Sequence, residues 1–225
     1  LLNNTKYDGI NPDESTRTDF TAVTSGVPPV TAYYSELPTE GETEIWEIVN
    51  ITADAHPIHL HLVQFQLINR QKFDAKGYNA IYNGAFPGGG IDPMTGLAYL
   101  PGVLMPAYGP PLDYNGGNPR ALGGNPDITP FLSPAVNLPE LNERGWKDTV
   151  IMFPGEVTRI AVRYAPTDRT IQDPNALGNT LYYPFIPNGG HGYVWHCHII
   201  DHEDNEMMRP KQVQPKSVTR TYTDY

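Results

Sequence analysis

Cysteine is almost absent from this sequence of 225 residues. Cys197 is the only one, so no intrachain disulfide can form. A single thiol does not define a compartment, but its place between His196 and His198 makes it a candidate ligand rather than a staple. Charged residues are sparse at 18%, and the net charge is -10. That balance argues against a nucleic-acid or anionic-membrane partner, either of which wants clustered Lys and Arg. No apolar run approaches the roughly 20 residues a membrane helix needs. There is no Met followed by a basic segment either. The chain opens Leu1-Leu2-Asn3-Asn4, which reads as a cut inside a longer protein. Heptads, helical periodicity and internal repeats are missing as well. The Asn-X-Thr patterns at Asn3 and Asn50 are too common to carry weight.

Glycine and proline are abundant, 21 and 23 residues. With few charges, that mix suits an all-β fold with many turns, in one large domain or two small ones. Residues 1–40 are polar and turn-rich. Strands are predicted at Glu44–Asn50, His61–Ile68, Trp146–Phe153, Thr158–Tyr164 and Tyr193–Ile200, from β-branched and aromatic residues and from period-two alternation. In the fourth of these, Ile160, Val162 and Tyr164 share one face. Residues 84–141 form a loop-rich insertion dense in Gly, Pro and Asn, where Pro removes donors and Gly costs chain entropy. A second loop spans 166–191. The pattern is that of a β-sandwich with two long inserts.

The chain has seven histidines, and six fall in two clusters: His56-Pro57-Ile58-His59-Leu60-His61 and His196-Cys197-His198-Ile199-Ile200-Asp201-His202, with Met207 five residues on. A lone His-X-His is more often a satisfied structural pair than a metal site. Here six of the seven histidines and the only cysteine share two short, strand-compatible segments. Successive side chains on a strand point to opposite faces, so Cys197 goes one way and both flanking histidines the other. A single tetrahedral zinc cannot gather all three without breaking the strand, whereas two metal sites on opposite faces can. If the first cluster is extended, His59 and His61 share a face and His56 points elsewhere. A thiolate, two imidazoles and a thioether (Cys197, His56, His202 and Met207) are the ligand set of a blue-copper electron-transfer site. The other four histidines suit further copper ions.

Thr43–Asn50, His56–His61, Gly145-Trp146-Lys147-Asp148-Thr149 and Trp195-His196-Cys197-His198 closely resemble the third, C-terminal domain of multicopper oxidases. The tail His202–Pro210 is similar to the branch of spore-coat laccases and bilirubin oxidases. The resemblance covers most of the chain except 84–141 and 166–190. It implies a Greek-key cupredoxin β-sandwich over 1–225. It makes His56, Cys197 and His202 the equatorial ligands of a type 1 copper, with Met207 axial and a modest reduction potential. It gives His59 to a type 2 copper, and His61, His196 and His198 to a type 3 pair. Glu203 matches a carboxylate that assists proton delivery, and His191 matches no ligand position. The family's trinuclear cluster needs eight histidines, four of them from two His-X-His pairs in a first domain. This chain has no such pairs, so the resemblance implies that N-terminal cupredoxin domains on another chain or fragment complete the site. It further implies O2 as acceptor, small aromatic electron donors and a place outside the cytoplasm or on a spore surface. The alternatives are an electron-transfer cupredoxin without oxygen chemistry, which leaves four histidines unused, and a zinc site on the His-X-His pairs.

Overall fold

The computed structural model describes Leu2, Tyr7 and residues 21–25, 29–85, 91, 96–98, 125–167, 182–183, 185–188, 192–204 and 207–216. In chain order these form ten strands: β1 (Thr21–Ser25), β2 (Val30–Tyr34), β3 (Thr43–Val49), β4 (His56–Leu60), β5 (Gln64–Phe73), β6 (Leu132–Asn137), β7 (Thr149–Met152), β8 (Glu156–Arg163), β9 (Tyr193–Cys197) and β10 (Met208–Lys211). Two helices, α1 (Ala75–Ala85) and the single turn α2 (Ile200–Glu203), and two 3-10 turns complete the set.

The strands build two antiparallel four-stranded sheets, ordered β10-β9-β4-β7 and β3-β8-β5-β6, while β1 and β2 form a separate hairpin. The sheets face one another. Phe65 and Leu67 of β5 and Ile160 and Val162 of β8 pack in one core with Ile58 and Leu60 of β4, Val150 and Met152 of β7, and Trp195 and Cys197 of β9. This is the cupredoxin-type β-sandwich. Ile160, Val162 and Tyr164 are fully buried, as their alternation implies.

The predicted strand at His61–Ile68 differs in outline. Leu62 has φ of 69°, the sole positive value outside glycine among the described residues. A left-handed leucine cannot continue a strand. The chain therefore breaks there, with β4 running before the break and β5 after it. The last predicted strand stops at Cys197, and Ile200 begins α2. Inside the stretch expected to be loop-rich, Leu132–Asn137 is a strand on the edge beside β5.

Helix α1 has no counterpart in the sequence reading. Its apolar contacts are few. Tyr78 and Tyr82 pack with Phe73, Ile128 and Val157 in a second small core, and Asp74 Oδ1 accepts from the Gly77 N–H at its start. Two spaced tyrosines and three alanines do not rise above the surrounding Gly and Asn as a periodic signal.

Arg70 joins the layers. Its guanidinium donates to both oxygens of Glu143 at 2.8 and 2.6 Å and to the Ile151 carbonyl of edge strand β7. That pairing holds the Glu143 carboxyl below its ordinary value. Lys211, at the end of β10, is fully buried, and its Nζ meets no hydrogen-bond acceptor among the described residues. The ring of Tyr164 lies 5.8 Å away. Burial pushes the amine down to about 7, against the pull of Glu36 and Glu44. Because its folded pKa lies below the unfolded one, folding disfavours the charged form. Stability therefore rises with pH from about 7 towards the unfolded value near 10.4. Lys211→Met should raise stability at pH 7 by on the order of 1–4 kcal/mol. The gain should shrink as pH climbs from 7 to 10, read by denaturant midpoints. A destabilised Lys211→Met would show that the amine is satisfied.

Candidate metal centre

Strand register places the candidate side chains before any side-chain contact is considered. Across β4 and β9, Ile58 is opposite Cys197 and His59 is opposite His196. Opposite residues share a face and neighbours along a strand alternate, so His59 and His196 lie together on one side. Cys197 lies on the other side with Ile58 and, two residues back, His56. Across β9 and β10, Met208 is opposite His196, which puts Met207 beside Cys197. The Cys197 N–H donates to the Met207 carbonyl at 2.9 Å, and the Met207 N–H to the His202 carbonyl at 2.9 Å. Helix α2 turns the chain back so that His202 reaches the Cys197 face.

On that face Cys197 Sγ lies 3.7 Å from Nδ1 of His56 and 3.7 Å from Nδ1 of His202, and the two nitrogens are 3.1 Å apart. Three donor atoms at these separations can share one ion at bond lengths of about 2.0–2.3 Å. Met207 and Met152 pack in the surrounding core. Burial pushes the Cys197 thiol up, so without metal it is the protonated form that the site favours. A bound cation reverses this by displacing the proton. Burial, then the neighbouring His202, holds His56 below its ordinary value, opposed by Asp54.

The opposite face gathers imidazoles alone. His61 Nε2 and His196 Nε2 are 3.1 Å apart, and with His59 they form a second set whose donor atoms lie within 4.8 Å of one another. The His198 ring is 5.7 Å from that of His196 and 6.0 Å from that of His59, at the exposed edge of the group. His59 and His61 also line an open cleft with Gln64, Tyr183, Phe185 and Tyr193.

Partners on the other ring nitrogens orient these rings. His59 Nδ1 lies 3.0 Å from the Asp148 carbonyl and 3.0 Å from Thr149 Oγ1. His196 Nδ1 lies 3.0 Å from the Cys197 carbonyl and 3.1 Å from Glu203 Oε2. In both rings Nδ1 carries the proton and donates, which leaves the Nε2 lone pair for a metal. Glu203 thus serves the imidazole face, although it is next in sequence to His202 on the thiolate face. Burial, then His59 and His196, holds His61 below its ordinary value.

All eight ligand candidates fall in these two groups or beside them, and His191 lies outside the described residues. Sequence reasoning missed Thr52, whose Oγ1 is 2.7 Å from His56 Nε2, and the Asp148-Thr149 pair. Asp148-Thr149 stood out only as part of a motif. Thr52 had no signal beyond being a polar residue shortly before His56. Asn50, the asparagine of one Asn-X-Thr pattern, is buried with its amide bonded to main-chain carbonyls.

With metal absent, the lowered His56 and His61 values mean that the fold binds fewer protons than the unfolded chain near pH 6.5. Stability from these groups is full above that pH and is lost as pH falls through it. The metal-free protein should weaken from about pH 7 towards 5, and His56→Gln should make that loss shallower in chemical denaturation. An unchanged slope would show that His56 titrates as it does when unfolded.

A family model described as multicopper oxidase matches residues 6–87. The chain is 33% identical over 185 residues to the multicopper oxidase LPR1 of Arabidopsis thaliana, which covers 82% of this chain and 25% of that protein. It is 34% identical over 179 residues to a laccase of Bacillus stratosphericus, covering 80% of this chain and 22% of that protein. A solved structure of a McoA multicopper oxidase variant from Aquifex aeolicus aligns over 81% of this chain and 22% of that chain, at 21% identity and a TM-score of 0.40. The chain spans about a quarter of the length of the curated relatives it matches.

Proposed function

This chain belongs to the multicopper oxidase family, and on that premise we propose that residues 1–225 serve as the copper-bearing C-terminal domain of a laccase-like oxidase. The substrates in this reading are phenolic or other aromatic donors, each losing one electron, and O2. His56, Cys197, His202 and Met207 would hold the type 1 copper, His59 the type 2 copper, and His61, His196 and His198 the type 3 pair. When bound, copper supplies one-electron redox chemistry, so that four electrons and four protons convert one O2 to two waters.

One observation carries the reading. Cys197 turns its sulfur to His56 and His202, while its chain neighbour His196 turns its ring to His61 on the far side of the same strand. The two sites are thereby joined by the few covalent bonds of a peptide link. A pure electron-transfer module has no use for the second group of imidazoles. The donor set also fits copper chemically: a thiolate and two imidazoles on one side, imidazoles alone on the other.

The chain's own groups have separable tasks. The strand backbone of β9 keeps Cys197 and His196 in fixed relation. Glu203 accepts a hydrogen bond from His196 Nδ1–H, which aims that ring, and its half-exposed carboxyl can take a proton from solvent and hold it beside the imidazole group. Four imidazoles are too few for three ions. The open cleft beside His59 and His61 supports completion by N-terminal cupredoxin domains carrying two His-X-His pairs, on another chain, fragment or stretch of a longer protein. No helix among the described residues is long and apolar enough to cross a membrane. A place outside the cytoplasm is part of the same reading.

Copper analysis of the assembled protein should give four ions. Cys197→Ser should abolish both the thiolate-to-copper absorption and oxidase activity, and retained activity would remove the assignment. Glu203→Gln should keep the copper and the blue colour yet lower kcat about 10- to 100-fold. Unchanged turnover would leave Glu203 as a surface acid.

A further inference from the structure

His56 and His202 both turn Nδ1 to the Cys197 sulfur. A neutral imidazole offers a lone pair at Nδ1 only when its proton sits on Nε2. For His56, the loop between β3 and β4 decides where that proton sits. The Asn50 side-chain amide lies 2.7 Å from the Asp54 carbonyl and 3.0 Å from the Met152 carbonyl. Both are acceptors, so the amide nitrogen must face them. A flipped amide would set its oxygen against two others. Asn50 Oδ1 therefore faces Thr52, where it accepts from the main-chain N–H at 2.9 Å and from the hydroxyl at 2.8 Å.

A threonine hydroxyl has one proton. Once it points at Asn50 Oδ1, the Thr52 oxygen can only accept from His56 Nε2, which is 2.7 Å away. The Asp54 carbonyl, 3.3 Å from the same hydroxyl, would also draw the proton away from the ring. If Thr52 donated to His56 instead, two unprotonated oxygens would face each other at 2.8 Å beside an asparagine that is 5% exposed. Such a buried mismatch is disfavoured.

We propose that Asn50 and Thr52 are positioning residues that lock His56 as the Nε2–H tautomer and so present its Nδ1 lone pair to a soft metal ion shared with Cys197 and His202. His59 and His196 are held the other way round, with Nδ1 bonded to main-chain carbonyls. The protein thus sets opposite tautomers on the two faces, one for each kind of site. The affinity part of this proposal rests on the copper reading, whereas the tautomer part does not.

The test reads the His56 ring nitrogens by long-range 15N correlation in the assembled protein stripped of metal, alongside Cys197-dependent Cu(I) affinity by chelator competition. Wild type should show a protonated Nε2 and a bare Nδ1. Thr52→Val should lose that preference and weaken Cu(I) binding about 10- to 100-fold, while Thr52→Ser should restore both. A wild-type His56 protonated on Nδ1, or a Thr52→Val protein with wild-type tautomer or wild-type affinity, overturns the proposal. The wild-type spectrum decides the tautomer even if Thr52→Val fails to fold. A Cys197→Ser protein that keeps the full Cu(I) affinity would undo the copper reading and leave the tautomer result standing.

Discussion

The alternation of side chains along β9, locked in register with β4, is the constraint on which the candidate site depends. Cys197 is opposite Ile58 and His196 is opposite His59. That single alignment sends a thiol to one side of the sheet and an imidazole to the other, each towards histidines supplied by β4 or the loop just after it. A slip of one residue would exchange the faces and part every donor from its partners. The core enforces the register. Ile58, Leu60, Trp195 and Cys197 are all within 5% of full burial against Phe65, Ile160 and Val162 of the other sheet. A slip would turn His59 into that core and Ile58 out of it.

Geometry of this kind needs rings that do not turn. Each of His56, His59 and His196 spends one nitrogen on a protein partner and keeps the other for the site. The partners come from elements that the sheet brings alongside: the loop before β4, the start of β7, and α2. For His56 and His196 the aiming group lies a few residues along the same segment, whereas His59 takes its partners from the distant start of β7. The cost of the arrangement is concentrated burial of polar groups. A buried thiol, depressed imidazoles and the buried Lys211 amine all lie within or beside one sheet.

Much of the site was legible because it is local. Spacing and residue type within His56–His61 and His196–His202 give the clusters, the softness of the donors and the opposed faces of His196, Cys197 and His198. The strands at Thr43–Val49 and Glu156–Arg163 were legible from β-branched composition and alternation. Helix α1 was not, since its stability comes from Phe73, Ile128 and Val157 outside it. The break at Leu62 was not legible either, because nothing in a leucine announces a positive φ.

By itself, then, the sequence determined the all-β character, the ligand inventory and the fact that Cys197 and its two neighbours diverge, since these follow from composition and from the period of a strand. Only the tertiary structure decided which histidine meets which. His56 and Cys197 are brought together by pairing across 141 positions of chain. Glu203 turns to His196 rather than to its neighbour His202, and Thr52 reaches His56 through a folded loop. These outcomes depend on strand register and loop closure, which are set by the burial of the whole core and not by any one segment.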